Sequence, residues 1–131
     1  MKIRLEGGLL YVSTELVYRA QKLTLSEVIL DTGSAGTLFS ADEAVKLGLV
    51  PEPDDPLRRV RGVGGSEFVF SKRLDSLSLG DLSLSSFPIQ IGAMDYGFPI
   101  QGLIGLDFLM QAGAVIDLAN LEIIASSGKR S

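Results

Sequence analysis

The run Val28-Ile29-Leu30-Asp31-Thr32-Gly33-Ser34-Ala35-Gly36 constrains the fold of this chain more than any other stretch. Its three branched apolar residues suit a strand buried on both faces, and the strand ends abruptly in an acid. Such a strand can hold the Asp31 carboxylate rigidly. Thr32 and Gly33 can then turn the chain so that the carboxylate faces a cavity rather than the core. The chain contains no His and no Cys, so this carboxylate has few rivals as a reactive group.

The remaining pattern is mostly strand. Leu9 to Val17 mixes apolar residues with Ser and Thr, as a half-buried strand does, and Leu23 to Asp31 forms a second strand. Ser40-Ala41-Asp42-Glu43 reads as a capping box in which the Ser40 hydroxyl accepts from the Glu43 N–H. A short helix over about 41 to 47, stopped by Gly48, follows from it. Pro51, Pro53 and Pro56, with three acids between them, predict an exposed loop. Leu57 to Val63 and Glu67 to Phe70 flank Gly64-Gly65-Ser66 and predict a hairpin. A second hairpin turns at Gly80-Asp81, with strand continuing from Phe87 to Ile91. Met94 to Pro99 is a loop and Leu103-Ile104 a short strand. A short helix over Leu106 to Ala112 precedes a last hairpin, Ala114 to Leu118 with Leu121 to Ala125. The fold class is therefore all-β with one or two short helices.

The 131 residues predict one domain, 1–131, with 1–8 and 126–131 as terminal strands or a frayed tail. A net charge of −4, with Arg58-Arg59-Val60-Arg61 as the one short block of like charge, excludes the broad cationic footprint that nucleic acid requires. Those three arginines read as a solvated strand face, with a substrate-side contact near the flap as the alternative. Without Cys there is neither a disulfide framework nor a thiolate metal site. The opening Met-Lys-Ile-Arg-Leu-Glu lacks the apolar core of a signal peptide, and no apolar run is long enough to span a membrane. The expectation is a cytoplasmic protein with no membrane partner. The glycines at 62, 64 and 65 lack the Lys-Ser/Thr and following helix of a phosphate loop.

A lone aspartate at neutral pH is a weak base and a poor acid. Two carboxylates in contact behave differently: they share a proton, so one can accept a proton from water while the other donates to a carbonyl oxygen. The chain carries one Asp-Thr-Gly, so such a pair requires a second copy, brought in by two-fold symmetry.

Three segments, in order, give a specific resemblance. Leu30-Asp31-Thr32-Gly33-Ser34 resembles the catalytic loop of retropepsin-like aspartic proteases, the single-lobed homodimeric branch of the pepsin clan. Val60-Arg61-Gly62-Val63-Gly64-Gly65-Ser66 resembles their glycine-tipped flap, and Leu103-Ile104-Gly105-Leu106-Asp107-Phe108-Leu109 the segment before their short helix. The resemblance implies a closed β-barrel of the acid protease fold and a homodimeric endopeptidase acting on peptide or protein substrates. It implies no metal or organic cofactor. Asp31 would be catalytic, with Thr32 bonding across the dimer axis, the Gly33 carbonyl contacting substrate and Ser34 supporting the loop. Val63, Gly64, Gly65 and Ser66 would form the flap over substrate. Gly105 and Asp107 would be structural, Asp107 as a helix N-terminal acid. The terminal strands Lys2–Leu5 and Leu121–Ala125 would pair between subunits.

Viral members carry an Asp two residues after the catalytic glycine and an Arg after the glycine of the last motif. Ala35 and Leu106 stand there instead, which points to a cellular or bacterial branch whose dimer is held differently. Ser34 could donate to the Asp31 carboxylate, favouring its ionised form and an acid-shifted activity profile. The alternative function is a catalytically inactive dimerisation or peptide-binding module.

Overall fold

The computed structural model describes residues 1–62, 65–94 and 99–126, with 59–62 and 65–68 entering only through their backbone pairing. Ten strands and two α-helices are arranged around a closed barrel. The strands are β1 (Arg4–Glu6), β2 (Leu9–Tyr18), β3 (Gln21–Leu30), β4 (Leu38–Ser40), β5 (Leu57–Gly62), β6 (Gly65–Leu79), β7 (Leu82–Gly92), β8 (Gly102–Ile104), β9 (Ala114–Asp117) and β10 (Glu122–Ala125). The helices are α1 (Ala41–Ala44), extended by a 3₁₀ turn over Val45–Leu47, and α2 (Leu106–Gln111). Strand order runs β1-β2-β3-β8-β4-β7-β6-β5, and a further β2–β6 pairing closes six of these strands into a ring. Closure removes the open edges that a sheet would otherwise expose.

The apolar run before Asp31 is buried on both faces, as its composition predicts. Val28 and Leu30 point into the main core beside Leu16, Phe39 and Ile104. Ile29, facing the other way, packs with Tyr11 and Ile100 in a separate small cluster. Phe108 of α2 plugs the main core and meets Phe87 edge-to-face at 5.6 Å. Burying such aromatic side chains contributes about 2–3 kcal/mol each in transfer free energy.

The predicted hairpins form. Leu79 pairs with Leu82 across the Gly80-Asp81 turn, where Gly80 takes a φ of +57°. β5 pairs with β6 from Leu57↔Phe70 to Gly62↔Gly65, so Gly65 and Ser66 belong to a strand rather than to the turn. Val63 and Gly64, named for the flap tip, lie outside the described residues, as does most of the loop from Met94 to Pro99. At α1, Ser40 Oγ accepts from the Asp42 N–H at 3.2 Å, not from that of Glu43. A helix of one turn gives the nearer amide the better approach, and Glu43 instead pairs with Lys46 at 2.8 Å.

The two termini pair with each other within the protomer. The Ile3 N–H donates to the Leu121 carbonyl and the Ile123 N–H to that of Met1, each at 2.9 Å. Lys2 and Glu122 form the bridge between them. β9 pairs along the opposite edge of β10. Both edges of the chain around Glu122 are thus occupied within the protomer, and Arg4–Glu6 pairs with β2.

Candidate active site

β8 is inserted between two strands that adjoin the acidic loop. It runs parallel to β3, with Leu30 opposite Ile104, and antiparallel to β4, with Leu38 opposite Leu103. The chain leaving β3 at Asp31 must cross the end of β8 to reach β4. That crossing is residues 31–37, and it holds the Asp31 carboxylate.

The loop is tied down at several points. The Asp31 N–H donates to the Ile104 carbonyl at 2.9 Å, which continues the β3–β8 ladder up to the acid. The Gly33 N–H donates to Asp31 Oδ1 at 3.0 Å, fixing the orientation of the carboxylate. The Leu106 N–H donates to the Ser34 carbonyl at 2.8 Å and the Asp107 N–H to the Ala35 carbonyl at 3.2 Å. These bonds use amides of the first turn of α2, which lack partners inside the helix. Gly105 is required because a Cβ there would overlap the Gly36 carbonyl and approach the Ser34 oxygen at 2.8 Å.

Thr37 completes the clamp, and nothing in the sequence singled it out. Only 1% of it is exposed. Its hydroxyl donates to Asp107 Oδ1 at 2.7 Å and accepts from the Gly105 N–H at 3.1 Å. Its own N–H reaches Asp107 Oδ2 at 3.3 Å, and the Phe108 N–H also donates to Asp107 Oδ1, at 2.7 Å. Asp107 is thus a structural acceptor at the helix start. The available signal was a polar residue directly before the apolar Leu38-Phe39, a position where a buried hydroxyl needs partners.

The Ser34 hydroxyl donates to the Gly36 carbonyl at 2.8 Å instead of to Asp31. Curvature of the loop brings that carbonyl within reach, and the acid shift argued from Ser34 loses its basis.

Asp31, half-buried, opens on a cleft of about 410 Å³ lined also by Gly33 to Gly36, Leu38, Leu103, Arg58, Val69 and Gln90. Arg58 and Val69 pair across β5 and β6, so the root of the Gly65 hairpin forms one wall. Arg58, expected on a solvated face, donates from Nη2 to Gln90 Oε1 at 2.8 Å. Thr32, exposed, turns the other way, into an apolar groove of about 380 Å³ with Leu106, Leu109, Met110, Gly113 and Ile116. Met110 is 74% exposed. Among the described residues no group of three acids gathers as a metal site would require, and no helix is long and apolar enough to cross a membrane.

The fold matches the crystal structure of a retropepsin-like aspartic protease from Rickettsia conorii with a TM-score of 0.66 at 21% sequence identity, covering 94% of this chain and 95% of that one. No curated protein matches the chain. The family model for aspartyl proteases matches residues 20–108, from the start of β3 through the loop, the hairpin and β8 to the clamp at Asp107. With its barrel, its strand-end Asp31 and two thirds of its length matched, the chain belongs to the aspartyl protease family.

Proposed function

We propose that the chain is an aspartic endopeptidase active as a homodimer, with Asp31 of each protomer activating a single water. One observation carries this: Asp31 is a strand-end carboxylate, oriented by the Gly33 N–H and open to a cleft of about 410 Å³. Metal-free hydrolysis by acid–base catalysis needs a proton acceptor and a proton donor, and one protomer supplies one such carboxylate. A two-fold axis beside Thr32 would supply the second. The apolar groove next to Thr32, with Leu106 and Met110 exposed beside it, supports a partner surface there.

In the paired site the two carboxylates share one proton. The ionised one takes a proton from water as its oxygen attacks the peptide carbon. The protonated one donates to the carbonyl oxygen, giving a neutral gem-diol. Return of a proton to the nitrogen breaks the C–N bond and releases acid and amine. The β5–β6 hairpin, with Val63, Gly64, Gly65 and Ser66 towards its tip, would cover an extended peptide and exclude bulk water.

Asp31→Asn tests this with a peptide library. Hydrolysis should fall by about 10²–10⁴-fold while the variant still sediments as a dimer. Cleavage by both proteins, or by neither, overturns the catalytic assignment. Peptide binding without cleavage in both would instead identify a binding module. A chain that remains monomeric at high concentration has no second carboxylate and overturns the dyad.

A further inference from the structure

The wall of the cleft opposite Asp31 has a chemistry that the hydrolytic step does not use. Arg58 on β5 and Gln90 on β7 meet across the intervening β6, through Arg58 Nη2 and Gln90 Oε1 at 2.8 Å. A guanidinium has donors only, so the Gln90 oxygen must face it. The Gln90 NH₂ is thereby turned the other way, towards Gly36, where Nε2 lies 3.7 Å from the position a Cβ would take. Gly36 belongs to the loop that carries Asp31, so this NH₂ points into the cleft. Among the described residues Arg58 is in no ion pair, and its side-chain hydrogen bond there is the one to Gln90. Leu38, Val69 and Leu103 add apolar surface to the same pocket, with Asp31 and its loop on the opposite wall and the Ser34 hydroxyl turned onto the Gly36 carbonyl. It therefore combines an apolar floor with a rim of donors, one of them permanently cationic.

We infer that this pocket takes an acidic substrate side chain, Asp or Glu, next to the scissile bond, with Arg58 and the Gln90 NH₂ as its carboxylate receptor. The chain's overall negative charge does not oppose this locally, because charges beyond about 8–10 Å are screened at physiological salt. In a two-fold dimer each protomer contributes one such pocket, so the preference falls on both sides of the cleaved bond. Among the described lining residues, two Arg58 against a carboxylate pair that holds one proton give the joined cleft a net positive charge.

The preference rests on the proposed protease function, and the experiment separates the two. Matched peptides carrying Glu, Gln, Leu or Lys beside the cleaved bond are compared by kcat/KM. Their binding to the Asp31→Asn protein is measured in parallel. Wild type should favour Glu over Leu by about tenfold, as a charge-assisted contact allows. Arg58→Leu should collapse that ratio towards one. Gln90→Glu, which places an anion beside Arg58, should turn selection towards Lys. The inference is overturned if wild type cleaves without acidic preference, or if the preference survives in both variants. Acidic peptides that bind through Arg58 but are never cleaved would support the pocket and overturn the protease. Neither binding nor cleavage overturns both.

Discussion

The two walls of the cleft are secured by different means. The loop bearing Asp31 is held by close backbone contact, with Gly105 pressed against the Gly36 carbonyl and Thr37 locked to Asp107. The root of the β5–β6 hairpin adds charge to its backbone ladder. Lys72 of β6, 8% exposed, reaches Asp55 at 2.8 Å and Glu52 at 2.5 Å in the proline-rich segment that leads into β5. That segment is closed on itself by the Glu52 N–H, which donates to Asp55 Oδ2 at 2.8 Å. Packing geometry tolerates almost no displacement, whereas ion pairs give way gradually and respond to pH and salt. For the proposed enzyme, the difference gives rigidity to the wall that would aim a carboxylate and adjustability to the wall that would admit a peptide.

Gly105→Ala is the severest challenge to this contrast. The added methyl has nowhere to go, and the expected loss is about 3 kcal/mol, read as a shift in urea midpoint. A loss under ~0.5 kcal/mol would mean the loop has slack. Thr37→Val keeps the volume but leaves Asp107 and the Gly105 N–H short of a partner, at a cost of about 1–3 kcal/mol. Peptidase activity should fall with it, because the loop that aims Asp31 loses its tie to α2. Stability lost with kcat unchanged would detach the clamp from catalysis.

Lys72→Met should cost less than Thr37→Val, since Glu52 is solvent-exposed and screened. Its signature is pH dependence. Burial pushes the Lys72 ammonium down, but hydrogen bonds and charge from Asp55 and Glu52 outweigh this and leave it raised. The hydrogen bond from Lys72 is the main cause holding Asp55 below the ordinary carboxylate range. A lowered acid stabilises the fold above its unfolded pKa and loses that contribution as pH falls through the folded value. A raised base stabilises below its unfolded pKa and loses the contribution as pH climbs through the folded one. The gap between wild type and Lys72→Met should therefore be flat through neutrality and close at both extremes. On the acid side it should persist to a pH below ordinary carboxylate titration. A gap independent of pH would remove charge as the fastening.

The smallest effect lies away from both walls. Arg19 and Ala20 join β2 to β3 with φ values of +50° and +66°. Two-residue hairpins of this kind favour Asn-Gly, so that replacement should add up to about 1 kcal/mol while leaving the Glu-to-Leu selectivity as it was.

That same turn shows where the sequence was silent. Neither Arg19 nor Ala20 carries a turn preference, and only the pairing of the flanking strands forces them into left-handed backbone. Gly80-Asp81, by contrast, announced its hairpin, because its local chemistry and its tertiary role agree. Val28 to Leu30 was equally legible: a strand with neighbours on both faces has no room for alternation. Asp31 stood out because an acid ending such a strand needs a reason. Thr37 and Gln90 did not, since their partners lie 70 and 32 residues away and no local pattern records them. The role of Ser34 was misjudged because proximity in sequence to Asp31 said nothing of the carbonyl at Gly36.

The bridge that ties Met1 to Ile3 onto the segment around Glu122 has a consequence for timing. A protomer whose own termini are already joined can complete its tertiary structure before any encounter with a second copy. Folding would then be first-order and association a later, reversible bimolecular step. Specific activity should rise with protein concentration and fall again on dilution, with no change in circular dichroism. If the proposed dyad is the active site, newly made chains would stay latent until enough of them gather in one place.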